Sequence, residues 1–118
     1  MLDAVFAREF EEATMPSPYD LAGRWCVSVL TGLLPNMRHL GHIKMIERGP
    51  VLTGYNKTLL WKWGKFHIYF AADYAMFKYD KYTFVDKVRM CSNGSLIGQY
   101  RVTLGKSQFG GYFRMIKQ

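Results

Sequence analysis

The hydrophobic residues of this chain change period once. In the first fifteen positions Leu2, Val5, Phe6, Phe10 and Ala13 recur at helical spacing and share one face, while Arg8, Glu9, Glu11 and Glu12 occupy the other. The pattern predicts an amphipathic helix with Asp3 as its N-cap. It must stop before Pro16 and Pro18, because proline lacks the N–H that continues the ladder and restricts the residue before it.

From residue 21 the period becomes two. Trp25, Val27 and Val29 alternate with Cys26, Ser28 and Leu30, and Phe66, Ile68 and Phe70 alternate with Lys65, His67 and Tyr69. Comparable runs cover 39–48, 55–63, 76–79, 82–85, 87–92, 95–104 and 110–116. Gly32, Pro35-Asn36, Gly49-Pro50, Gly64 and Gly105 punctuate them. Asn93-Gly94 is a strong hairpin turn, and a second hairpin is expected at Asp80-Lys81. Asp73, Asp80 and Asp86 fall near turns and read as turn residues. Short strands at this spacing, with no second periodic helix between them, predict an all-β domain. An antiparallel up-and-down β-barrel of about eight strands is the simplest closure, since it leaves no sheet edge exposed. Residues 1–20 then form a helix and linker that pack on or cap a barrel domain of residues 21–118.

Composition narrows the class. The chain has 118 residues, 49% of them apolar, which suits one globular domain and excludes extensive disorder. No apolar run reaches the ~20 residues of a membrane-spanning helix. The acidic start does not resemble a secretory signal, so a cytoplasmic location is expected. Aromatic residues reach 16%, which fits a pleated, half-buried surface. Residues 1–20 carry a net charge of −4 and residues 21–118 a net charge of +11, giving the +7 of the whole. An acidic helix therefore precedes a basic body, which favours an anionic or flat partner. Cys26 and Cys91 stand far apart with no CxxC, and are expected to be reduced and partly buried.

Gly23-Arg24-Trp25 begins the first strand as G-x-W, and Gly110-Gly111-Tyr112-Phe113-Arg114 places an arginine on the last. This resembles the calycin pattern of lipocalins and fatty-acid-binding proteins. The resemblance implies a lipocalin-like barrel in which Trp25 packs under Arg114 to close one end. Val27 stands where related bacterial G-x-W-x-G barrels have their second glycine. Such barrels hold haem, lipids, pigments or nothing, so the resemblance names no cofactor.

Candidate chemistry is sparse. His39 and His42, three apart in one predicted strand, point to opposite faces and make poor joint metal ligands. His67 is isolated; one histidine suffices for a proximal haem ligand. Glu47, the lone glutamate of the body, would be a general acid or base if it faced an apolar lumen. Glu47 and His67 are thus the acid–base candidates. Trp25, Phe66, Ile68, Phe70, Tyr100 and Tyr112 are the candidate lumen walls for a ligand.

Three functions compete. The first is binding of a small hydrophobic or anionic aromatic molecule, as carrier or sensor. The second is a lyase or isomerase acting on a small carboxylated substrate in the same barrel. The third is a basic module for single-stranded nucleic acid or an acidic protein, since lysines and aromatic residues interleave from Lys57 to Tyr82. Trp61, Trp63 and Tyr69 form an outer aromatic face suited to a homodimer.

Overall fold

A computed structural model describes residues 2–118. Helix α1 covers Leu2–Glu12 and a short helix α2 covers Pro18–Leu21. Eight strands follow: β1 Gly23–Val29, β2 Ile43–Glu47, β3 Thr53–Thr58, β4 Trp61–Phe70, β5 Ala75–Tyr79, β6 Phe84–Met90, β7 Leu96–Leu104 and β8 Ser107–Lys117. Each pairs antiparallel with the next, and β8 pairs with β1 to close the barrel. The connections after β1, β3, β5 and β7 therefore lie at one end, here the upper end. Those after β2, β4 and β6 lie at the lower end.

The lower end is plugged by Leu21, which is fully buried. Ser17 caps α2: its hydroxyl accepts from the Asp20 N–H, while the Asp20 carboxylate accepts from the Ser17 N–H. The indole Nε1 of Trp25 donates to the Leu21 carbonyl at 2.8 Å. Apart from a small cavity in its upper half, the barrel interior is filled by side chains. Phe66 and Phe77 stack with centroids 4.9 Å apart, Phe66 meets Tyr79 at 5.4 Å, and Leu96, Val102 and Met115 pack around them. Much of the aromatic content is therefore core packing.

Helix α1 lies along the outside of β7 and β8. Phe6, Ala7, Phe10 and Ala13 cover Ile97 and Tyr112 there. Glu9 pairs with Arg114 at 2.7 Å. Arg89 donates to the carbonyls of Phe10 and Glu11, satisfying groups that every helix C-terminus leaves open. Asp3 sits within the first turn and is not an N-cap, since the helix already includes Leu2.

Three strand expectations need correction. The run 39–48 is not one strand, because Arg38–Leu40 forms a 3₁₀ turn ending on Gly41 at φ 73°, and β2 starts at Ile43. The run 55–63 is two strands joined at Leu59-Leu60, where Leu59 takes φ 54°. No glycine, asparagine or proline marks that turn, so the apolar run hides it. The break placed at Asp86 does not exist: Asp86 lies inside β6, paired with Phe77 and Tyr100.

Candidate functional site

Side-chain alternation puts Trp25, Val27 and Val29 inside the barrel, and the same phase rule brings five polar side chains in with them. His42 and Lys44 share a phase with Ile46, Asn56 shares one with Gly54, Tyr79 with Phe77, and Asp86 with Val88. They meet in the upper half of the lumen, and all five are buried. Lys44 Nζ donates to Asn56 Oδ1 at 2.8 Å and to the Tyr79 hydroxyl, and stands 3.7 Å from the Asp86 carboxylate. The Tyr79 hydroxyl donates to Asp86 at 3.2 Å. The ammonium also lies 5.1 Å from the ring centroids of Phe66 and Tyr79 and 5.7 Å from that of Phe113.

The network fixes one proton. Asn56 Nδ2 donates to the Gly64 carbonyl at 3.3 Å, which can only accept. Asn56 Oδ1 therefore faces Lys44 and His42, and accepts from both. His42 Nε2, 3.0 Å away, must carry its hydrogen, so the neutral ring leaves Nδ1 as a bare acceptor. Among the described residues Nδ1 has no hydrogen-bond partner, although His42 is only 6% exposed. Trp63 lies over the ring, with centroids 5.5 Å apart.

Electrostatics follow from burial. Desolvation pushes the Lys44 ammonium down and the nearby Asp86 charge pulls it back. Desolvation raises the Asp86 carboxyl, opposed by Lys44. The Tyr79 hydroxyl is held well above its ordinary value by burial and by Asp86. His42 is lowered to about 4, first by burial and then by the Lys44 charge, against the bond to Asn56. Burial thus pushes Lys44 and Asp86 each towards its neutral form while each holds the other's charge, and a neutral imidazole lies beside them.

A cavity of about 50 Å³ adjoins this cluster. Leu34, Trp63, Phe84 and Tyr100 are among the side chains that border it. The connection 30–42 leads over the upper end. Tyr100 pins it by donating to the Thr31 carbonyl at 2.9 Å and accepting from the Leu34 N–H at 3.3 Å.

The residues singled out from sequence scatter around this centre. Trp25, Phe66, Ile68 and Tyr100 are buried in the barrel core. Phe70 is not a lumen wall: at 40% exposure it ends β4 on an open groove of about 540 Å³ at the lower end, beside Tyr19 and Arg48. Tyr112 is out of phase with Phe113 and Met115, so it faces outward and is buried beneath α1. Arg114 is likewise out of phase and does not stack on Trp25; its guanidinium holds Glu9 instead. Lys117, the direct partner of Trp25 across the β1–β8 ladder, places Nζ 5.5 Å from the indole. Glu47 is exposed on the outer face, and His67, also outward, bonds Asp80 at 2.7 Å. Neither faces the lumen, so neither supplies acid–base chemistry there. Cys26 and Cys91 are free and half-buried.

Lys44, Tyr79 and Asp86 were missed because charged residues are expected outside and Asp at turns. The available signal was their phase: each occupies an apolar position of its strand's alternation. Among the described residues no group of three His, Cys, Asp or Glu side chains is placed to hold a metal. No described helix is long and apolar enough to cross a membrane. Comparison with protein-family models, with characterised proteins and with solved structures finds no match to this chain.

Proposed function

We propose that the protein binds a small, largely apolar molecule bearing one hydrogen-bond donor in the upper half of its barrel, as a carrier or sensor. One observation carries this reading. Of the fully buried side-chain nitrogen and oxygen atoms among the described residues, His42 Nδ1 alone has no hydrogen-bond partner, and His42 borders a cavity with mainly apolar walls. Leaving such an atom unsatisfied costs about 1–3 kcal/mol, which a ligand hydroxyl or N–H returns. A neutral ligand fits better than an anion, because Lys44 already faces Asp86. The cavity of about 50 Å³ holds only the donor end. A ligand of usual size needs about 300 Å³ or more, so the rest would lie in the mouth with Leu34 displaced. The calycin-like G-x-W start at Gly23–Trp25 supports the same reading by resemblance.

The test uses phenol and benzene as probes, followed by histidine ring NMR and tryptophan fluorescence. Phenol is expected to bind saturably, shift the His42 ring and bind at least tenfold more weakly to His42→Phe, which keeps a ring against Trp63. Equal binding of benzene and phenol, or no saturable binding of either, sinks the reading. An enzyme is the second reading, now resting on Asp86 and Tyr79 in place of Glu47. It ranks lower because proton transfer there must first break a bond between Lys44, Tyr79 and Asp86.

A further inference from the structure

The upper rim of the barrel exposes apolar side chains at three of its four connections and an aromatic ring at the remaining one. Leu33 in the first is 78% exposed. Leu59, Leu60 and Trp61 at the second are 62%, 90% and 75% exposed. Tyr82 and Leu104 are exposed beside the third and fourth. Up-and-down topology puts all four on one face of the molecule.

The β3–β4 tip is the most telling. Its sequence runs Lys57-Thr58-Leu59-Leu60-Trp61-Lys62. A two-residue hairpin favours glycine or asparagine where φ is positive, yet a leucine stands there at φ 54°. Turn formation does not explain that choice, and neither does packing, since both leucines point into solvent. Local rules are broken in this way where a function outweighs them. Lys57 and Lys62 are cross-strand partners just below the tip, and Lys81 and Lys106 sit in the third and fourth connections. Among the described residues none of these four lysines is in a salt bridge. Asp80, the acid within these four connections, is bonded to His67.

We propose that this rim docks on an anionic membrane surface, with Leu59, Leu60 and Trp61 entering the headgroup–acyl boundary and the lysines meeting lipid phosphates and carboxylates. Tryptophan prefers that boundary, and lysine stems reach from apolar surroundings to charged headgroups. Neither half suffices alone: three or four apolar side chains bind weakly, and a basic patch supplies the rest. A second copy of the chain would cover the leucines but would bring lysine against lysine.

The experiment is co-sedimentation of the intact protein with phosphatidylcholine vesicles, with and without phosphatidylserine. Quenching by brominated phosphatidylcholine locates the tryptophan. Binding is expected with phosphatidylserine and to weaken with salt. Lys57→Gln and Lys62→Gln should each lower partitioning roughly fivefold. Leu60→Ser combined with Trp61→Ala should lower it more than tenfold, and Trp61→Ala should abolish most of the quenching. Leu60, Trp61 and Lys62 are exposed and Lys57 is half-buried on the outer face, so circular dichroism should show an unchanged fold. No binding to phosphatidylserine vesicles overturns the proposal, as does binding that the tip variants leave unchanged. A dimer in gel filtration that Leu60→Ser dissociates would assign the rim to a second copy instead.

Discussion

Protonating His42 places a second positive charge beside Lys44 in the interior of the barrel. Burial and that ammonium hold the folded-state pKa at about 4, while an unfolded histidine titrates near 6.5. Between these values the unfolded chain binds a proton that the folded barrel refuses. The contribution of His42 to stability is therefore complete above pH about 6.5 and is lost as pH falls towards 4. Integrating this linkage between pH 6.5 and 4.5 gives a loss of about 2 kcal/mol. Asp86 acts in the opposite sense: its carboxyl is raised by burial, so its contribution grows as pH falls. Glu9, lowered by its bond to Arg114, loses its contribution as pH falls through still more acid values. The comparison that isolates His42 is urea unfolding of wild type and His42→Gln across this range, since the glutamine amide does not titrate and retains a donor for Asn56. Wild type should lose about 2 kcal/mol more than the variant on acidification. Its ring NMR signal should stay in the neutral form down to about pH 5. Coincident pH profiles, or a His42 ring that titrates near 6.5, would refute the burial and tautomer argument together.

Two further outcomes test the interior. Lys44→Met strands Asp86 in the core without its cation and should cost about 3–5 kcal/mol in chemical denaturation, whereas Lys44→Met with Asp86→Leu should recover most of it. A single substitution costing under about 1 kcal/mol would mean that water reaches the pair. Gly98→Ala would place a Cβ 2.1 Å from Cζ of Phe113 and should lower stability by about 1–3 kcal/mol in thermal or urea unfolding. An unaffected variant would show that the Phe113 ring has free space to move into, against a filled lumen.

Most of the architecture is legible in the amino-acid sequence. The helix face from Leu2 to Ala13, the switch of period at residue 21 and the Asn93-Gly94 turn each express local physics, and a closed eight-stranded antiparallel barrel follows from them. Errors fell where local chemistry misleads. Leu59-Leu60 turns the chain without turn residues, and Asp86 continues a strand although its residue type favours a turn. The site was less legible. Alternation places Tyr100 and Phe66 in the barrel interior, and the same phase places Lys44 and Asp86 there, although their charge suggests solvent. Arg114 was assigned to the barrel end by motif, when its phase in β8 turns it outward to Glu9.

The amino-acid sequence by itself determined the periodicity, and hence one helix followed by an antiparallel barrel. Periodicity is a property of neighbouring residues, and it needs no knowledge of what lies across the sheet. The sequence also determined which residues share a face within each strand. Only the tertiary structure decided which polar residues from different strands meet. Lys44, Asn56, Tyr79 and Asp86 come from four strands, and their juxtaposition depends on the register of every ladder between them. The same holds for the upper rim. Leu33, Leu60 and Leu104 are scattered apolar residues in the chain, and barrel closure gathers them on one surface beside unpaired lysines.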